Sequence, residues 1–197
     1  ELVHYLIHHH YYEHRMRDMV FLQVRVPRKE SKEDLEKETQ AYSAQKSFKE
    51  IIGIMTHFFE SLHSMYDNSW RYHWIGQDYL SLEYAVIDGE IHFYMVVPRD
   101  LMVFLEKQIT SFYPDCHIEK VTDYNIFKPN SQVYGCYMEL EKDFHLPIKN
   151  YNRLNSDPLN AMVNALSKFS HDEGAAIQII IKPVNHHWQH KGLELAQ

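Results

Sequence analysis

Residues 80–97 read Leu80-Ser-Leu-Glu-Tyr-Ala-Val-Ile-Asp-Gly-Glu-Ile-His-Phe-Tyr-Met-Val-Val97, and this stretch decides the fold class. Leu80, Leu82, Tyr84 and Val86 alternate up to Asp88-Gly89; Ile91, Phe93, Met95 and Val97 alternate away from it. A period of two points successive side chains to opposite faces of a sheet, so both runs read as strands. An Asp-Gly pair between them marks a two-residue type I′ turn, because both central residues there need positive φ. That register sets Val86 opposite Ile91, Tyr84 opposite Phe93 and Leu82 opposite Met95, with all three pairs on one face.

Upstream, Val20, Leu22, Val24 and Val26 share one side of a strand that has Gln23 and Arg25 opposite and ends at Pro27. Residues 28–38 (RKESKEDLEKE) alternate in sign and read as a solvated linker or helix start. Phe48, Ile51, Ile52, Met55, Phe59 and Leu62 recur at three and four, which predicts a helix over 41–66; residues 67–78 read as a loop. Downstream, Asp100 is the expected N-cap of a helix carrying Leu101, Phe104, Leu105, Ile109 and Phe112. Tyr113-Pro-Asp115 stops it, and residues 116–124 read as a strand. Strand, helix, strand, strand, helix, strand is the order of a ferredoxin-like β-α-β-β-α-β lobe, expected over 20–127.

A smaller α+β lobe is expected over 128–197. Tyr134, Cys136, Met138 and Leu140 share one side of a strand over 133–140, and Leu146-Pro-Ile148 reads as a short edge strand. Asp157-Pro158 opens a helix through Phe169, with Asp as cap and Pro at the first helical position. Ala175–Ile181 is almost continuously apolar, as for a strand covered on both faces. The fold class is α+β.

Composition excludes several chemistries. The chain has six glycines, and the nearest two, Gly76 and Gly89, are thirteen apart. GxGxxG and GxxxxGK[ST] are therefore absent, and with them nucleotide binding through a glycine-rich phosphate loop. The charge is −7, from 20 Lys+Arg against 27 Asp+Glu, and the sequence has no basic run longer than Arg28-Lys29, so no direct nucleic-acid binding is expected. An RNA-binding sheet wants a basic residue before its glycine; here Asp88 precedes Gly89-Glu-Ile-His-Phe-Tyr94. Cys116 and Cys136 form no CxxC, which excludes a disulfide scaffold and a cysteine zinc site. His117 adjoins Cys116, but neighbours on a strand face opposite ways, and Cys136 falls on the apolar side of its strand. No GxSxG is present, and no catalytic residue or cofactor is assigned.

Fifteen histidines keep metal binding in view. His10 and His14 are spaced i, i+4, as are His186 and His190, which on a helix points two imidazoles the same way. These four are the candidate ligands, set against the simpler reading of exposed polar histidines. The sequence at 186–190 lacks the glutamate of HExxH. Residues 1–19 read as a membrane-proximal or packing segment, too short on their own to span a bilayer, with Tyr11 and Tyr12 suited to an interface and Arg15 and Arg17 to its cytoplasmic side. The initial Glu1 and the final Leu193-Glu-Leu-Ala-Gln197 read as cuts in a longer polypeptide.

Asp157-Pro-Leu159, the helix to Phe169, Glu173-Gly174, Ile177-Gln-Ile-Ile-Ile-Lys-Pro183 and Trp188 form one ordered set. FLQVRVP at 21–27, LSLEYAVIDGEIHFYMVVP at 80–98 and FYPD at 112–115 precede it. The set resembles the region ahead of the ATP-binding core in conjugation and type IV secretion ATPases (TraC/TraG-like, HerA-type superfamily). The resemblance implies a non-catalytic N-terminal module on the cytoplasmic side of a membrane. Its implied partners are a membrane channel, secretion-system subunits and further copies of itself. The Walker motifs of that family lie downstream and have no matching positions here. The competing class is a metal- or ligand-binding α+β protein that uses its histidine-rich ends.

Overall fold

The structure is a computed structural model, and it describes residues 2–26, 53–143, 145–146, 153–154 and 158–195. Helix α1 (Leu2–Arg17) leads into β1 (Met19–Arg25). Helix α2 covers residues 53–61 and tightens into a 3-10 turn at Leu62–Met65. Helix α3 (Trp70–Ile75) precedes the hairpin of β2 (Leu80–Ile87) and β3 (Glu90–Pro98). Then come α4 (Met102–Phe112), β4 (His117–Val121), α5 (Pro158–Leu166), β5 (Ala175–Ile181) and α6 (His187–Leu195). The five strands form one antiparallel sheet in the order β4-β1-β3-β2-β5.

The hairpin forms as its residues dictate. Asp88 and Gly89 take φ of 52° and 80°, and the pairs Val86–Ile91, Tyr84–Phe93 and Leu82–Met95 stand in register. One sheet face carries Val20, Leu22, Leu80, Met95 and Val97. Phe58 of α2, Leu62 and Met65 of the following turn, and Leu105 and Ile109 of α4 close over it. Removing each such side chain from water stabilises the fold by about 1.5–3 kcal/mol, which makes this layer the main driving force.

Several expectations are corrected. Asp100 does not cap α4: it lies inside a 3-10 turn, Arg99–Leu101, and Leu101 is the N-cap, without a side-chain bond. The cause is Asp18, whose carbonyl accepts from the Arg99 backbone N–H at 3.1 Å and whose Oδ1 accepts from Arg99 Nε at 2.6 Å. The loop expected at 67–78 contains α3, a helix too short for periodicity to reveal, ended by Gly76 at φ 78°. The strand expected over 116–124 stops at Val121, because residue 122 leaves the sheet. Residues 133–140 join no ladder among the described residues. Cys136, expected in a core, is exposed. Finally, β5 is not covered on both faces: it is the outermost strand beside β2, and its second half is exposed. It completes the same sheet as the strands of 20–127. Residues 28–38, the first part of the expected helix at 41–52, the Asp157 cap and residues 147–148 lie outside the described residues.

Helix α1 is fastened through Arg15. Its guanidinium donates to the carbonyls of Gly76 (2.8 Å) and Gln77 (3.0 Å), pairs with Asp78 at 3.2 Å, and lies 5.5 Å from the ring centre of Tyr72. Tyr72 in turn donates to Asp78 at 3.2 Å. Arg15 thus faces the fold. No described helix is long and apolar enough to cross a membrane. Arg15→Ala is expected to cost about 2 kcal/mol, the scale of charge-assisted hydrogen bonds lost together. Amides of residues 2–17 are expected to lose hydrogen-exchange protection before the sheet does; unchanged protection there would contradict this role.

Candidate docking surface

The second sheet face is polar where the first is apolar. The register aligns Glu119, Gln23, Tyr94, Glu83 and Gln178 in one row across all five strands. Residues 122–128 leave β4 and cross this face as a strap. Tyr124 stacks on Tyr94 with ring centres 4.7 Å apart and meets Phe21 edge-on at 6.1 Å. Its hydroxyl donates to Glu83 Oε2 at 2.5 Å, while Gln178 Nε2 donates to Glu83 Oε1 at 3.2 Å. Glu83 is only 4% exposed, so these two donors replace the water it has lost. Burial, then the neighbouring Glu83, holds the Tyr124 proton far above the ordinary phenol range. Beside them Arg25 Nη2 donates to Gln23 Oε1 at 2.6 Å, and Gln23 Nε2 to His92 Nδ1 at 2.9 Å. With both carboxylate oxygens engaged and little exposure, Glu83 is a fastening for β5 and the strap.

The strap is locked at its far end. A Cβ on Gly174 would stand 2.3 Å from the carbonyl oxygen of Ile126, closer than side chains tolerate. Lys128 pairs with Asp88 at 2.8 Å on the hairpin turn. Gly174→Ala therefore displaces backbone, and a loss of about 1–3 kcal/mol is expected. Denaturant titration checks it; a midpoint equal to wild type would show that the strap has room to move.

Between α2 and the chain after β5 lies a cleft of about 270 Å³ lined by Phe59, Leu62, Met65, Leu80, Ile181 and Trp188. Two histidines stand at it: His63 and His186, ring centres 5.0 Å apart. Sequence spacing missed His63, because 123 positions separate the two and only folding brings them together. Residues Lys182–Asn185 separate this cleft from an open basin of about 600 Å³ bordered by Tyr66, Asp67, Trp70 and Tyr72.

The candidate metal ligands divide into separate places. His10 and His14 lie on α1 with ring centres 4.8 Å apart. His186 sits in the turn before α6 and faces His63, whereas His190 faces His187 at 6.2 Å. The i, i+4 pairing of His186 with His190 is thus not formed, because the helix begins only at His187. Among the described residues no group of three or more His, Cys, Asp or Glu is placed to hold a metal. Cys116 is partly buried, and that burial pushes its thiol up, away from a reactive thiolate.

Residues 11–196 match the family described as a domain of unknown function (DUF8128). The chain belongs to that family. No curated protein and no solved structure matches it. In this DUF8128 domain, exposed apolar side chains occur in two close-set runs, residues 133–140 and the stretch from β5 onward. Tyr134, Tyr137 and Met138 are 88%, 86% and 84% exposed, and Val133 and Leu140 are exposed beside them. Ile180 on β5 is 67% exposed, followed by exposed Val184, Trp188 and Leu193. Where such side chains form a patch, the surface is typical of one that meets another macromolecule.

Proposed function

We propose that this DUF8128 chain is a non-catalytic docking and assembly module of a conjugative DNA-transfer or type IV secretion ATPase. It sits peripherally on the cytoplasmic side of a membrane. The observation that carries the reading is the exposed apolar surface of residues 133–140, β5 and the chain beyond it, in the region that resembles the segment ahead of such motors. The order β4-β1-β3-β2, with α2 and α4 packed on one face, supports a ferredoxin-like lobe extended by β5. Its role is to position a motor against a membrane channel or neighbouring subunits. The engaged state of Glu83 and the raised thiol of Cys116 fit a module without chemistry of its own. The coding sequence beyond Gln197 is expected to carry GxxxxGK[ST] within about 50–100 residues; an in-frame stop at that point would overturn the assignment. Fractionation of the full-length product is expected to place it with membranes.

The apposition of His63 and His186 favours a second reading, a metal- or ligand-binding protein whose site is the α2–β5 cleft. Zinc added to dialysed protein is then expected to bind near one equivalent, and to be lost in His63→Ala. Elemental analysis and calorimetry decide it, and an absence of binding removes this reading.

A further inference from the structure

We propose that copies of this chain associate by strand addition, with residues 133–140 of one copy running parallel to β5 of another. Two independent observations carry it. First, β5 pairs only with β2, and among the described residues its outer edge has no backbone partner. Soluble proteins guard such edges with charge, proline or bulges; Ala175–Ile181 contains no charged residue and no proline. Second, residues 133–140 (VYGCYMEL) have strand-type alternation and aromatic content, yet among the described residues they make no backbone hydrogen bond. Space around them is open: a Cβ at Gly135 would meet nothing within 4 Å. One chain therefore displays an unpaired edge and, among the described residues, an unpaired segment of strand-like sequence, each able to satisfy the other's backbone groups.

Charge selects the direction. Asp172 and Glu173 precede β5, and Lys182 follows it. In a parallel arrangement Glu139 and Glu141 lie toward Lys182; antiparallel addition would set them beside Asp172 and Glu173. Reciprocal exchange between two copies makes two ladders. The four tyrosine rings of positions 134 and 137, at about 150 Å² or more each, would supply some 600 Å² of buried surface. With Val133, Met138, Leu140 and Ile180 added on each side, the contact approaches the ~1,200 Å² of a stable interface. This inference needs no secretion partner, so a monomeric chain would overturn it and leave the docking role above untouched.

The test uses the whole chain in sedimentation and light scattering over a range of concentration, beside Tyr137→Pro. Proline removes a backbone donor from the added strand, at a position whose exposure leaves the single copy's fold intact, as circular dichroism would verify. Wild type is expected to associate as concentration rises, and the variant to remain a monomer with unchanged spectrum. A wild-type monomer throughout, or a variant that associates equally well, overturns the proposal. A cysteine trap distinguishes copies from self-contact. In a Cys116→Ser, Cys136→Ser, Met138→Cys, Ile180→Cys chain, whose new thiols replace side chains that are 84% and 67% exposed, residues 138 and 180 lie side by side when the strand centres align, at the spacing a disulfide spans. Covalent dimers on oxidation support addition between copies; an intramolecular bond, or none, overturns it.

Discussion

Tyr124→Ala is expected to lower stability by about 3 kcal/mol, near the lower end for removal of a packed aromatic. The ring stacks on Tyr94, meets Phe21, and carries the hydroxyl that serves Glu83. Truncation therefore opens the second sheet face and strands a carboxylate that is only 4% exposed. Tyr124→Phe separates the two contributions. It keeps the ring and removes the donor, and is expected to cost about 1–3 kcal/mol, the penalty of an unsatisfied buried acceptor. Chemical denaturation of both variants checks the split. Equal losses in the two would show that the hydroxyl carries the whole effect; a neutral Tyr124→Phe would show that Glu83 finds water instead.

The same tyrosine makes an alkaline prediction. Its folded pKa lies above the ordinary phenol value of about 10, burial being the first cause and Glu83 the second. A proton held more tightly in the folded state contributes stability that is fully present below the unfolded pKa and is lost as pH rises above it. Tyr94, Tyr72 and Tyr113 are raised as well, each chiefly by burial. The melting temperature is expected to fall above about pH 10, and less steeply in Tyr124→Phe. Tyrosinate absorbance should lag behind that of the unfolded chain over the same range. Parallel pH slopes in wild type and variant would remove Tyr124 from the account.

The second large effect lies on the apolar face. Phe58 is 2% exposed, belongs to the core layer under α2, and meets Phe112 of α4 edge-on at 6.3 Å. Phe58→Ala leaves a cavity where two helices and the sheet converge, and an expected loss of about 3–5 kcal/mol. Because α2 reaches the sheet through this residue with Leu62 and Met65, its amides should lose exchange protection most. Phe58→Leu, which restores most of the volume, should recover a large part of the loss. If the two variants are equally unstable, ring geometry and not filled volume is what the site requires.

The hairpin was legible to the residue. Alternation fixed which side chains share a face, and Asp88-Gly89 fixed the register, because a two-residue turn with positive φ leaves one way to pair the strands. The apolar face of the helix carrying Met55 and Leu62 was legible for the same kind of reason: three-four spacing puts those side chains on one stripe. Asp100 was misread because a cap is decided by where the chain enters the helix, and Asp18, far away in sequence, decides that. Alternation puts Gln23 and Glu83 opposite the apolar side of their strands and says nothing of what covers them; the strap that does so comes from beyond β4. His186 was paired with His190 by spacing, whereas folding paired it with His63.

Local rules thus suffice for whatever depends on neighbours in sequence. The chain by itself determines its α+β class, the hairpin and its register, the amphipathic stripes, and the absence of a glycine-rich phosphate loop. Tertiary structure alone decides that β5 closes the edge beside β2, that residues 122–128 bury a polar row, and that residues 133–140 find no ladder partner among the described residues. The physical reason is that burial and backbone pairing are properties of two segments at once. A run such as Ala175–Ile181 has the same apolar sequence whether one of its edges is covered or both.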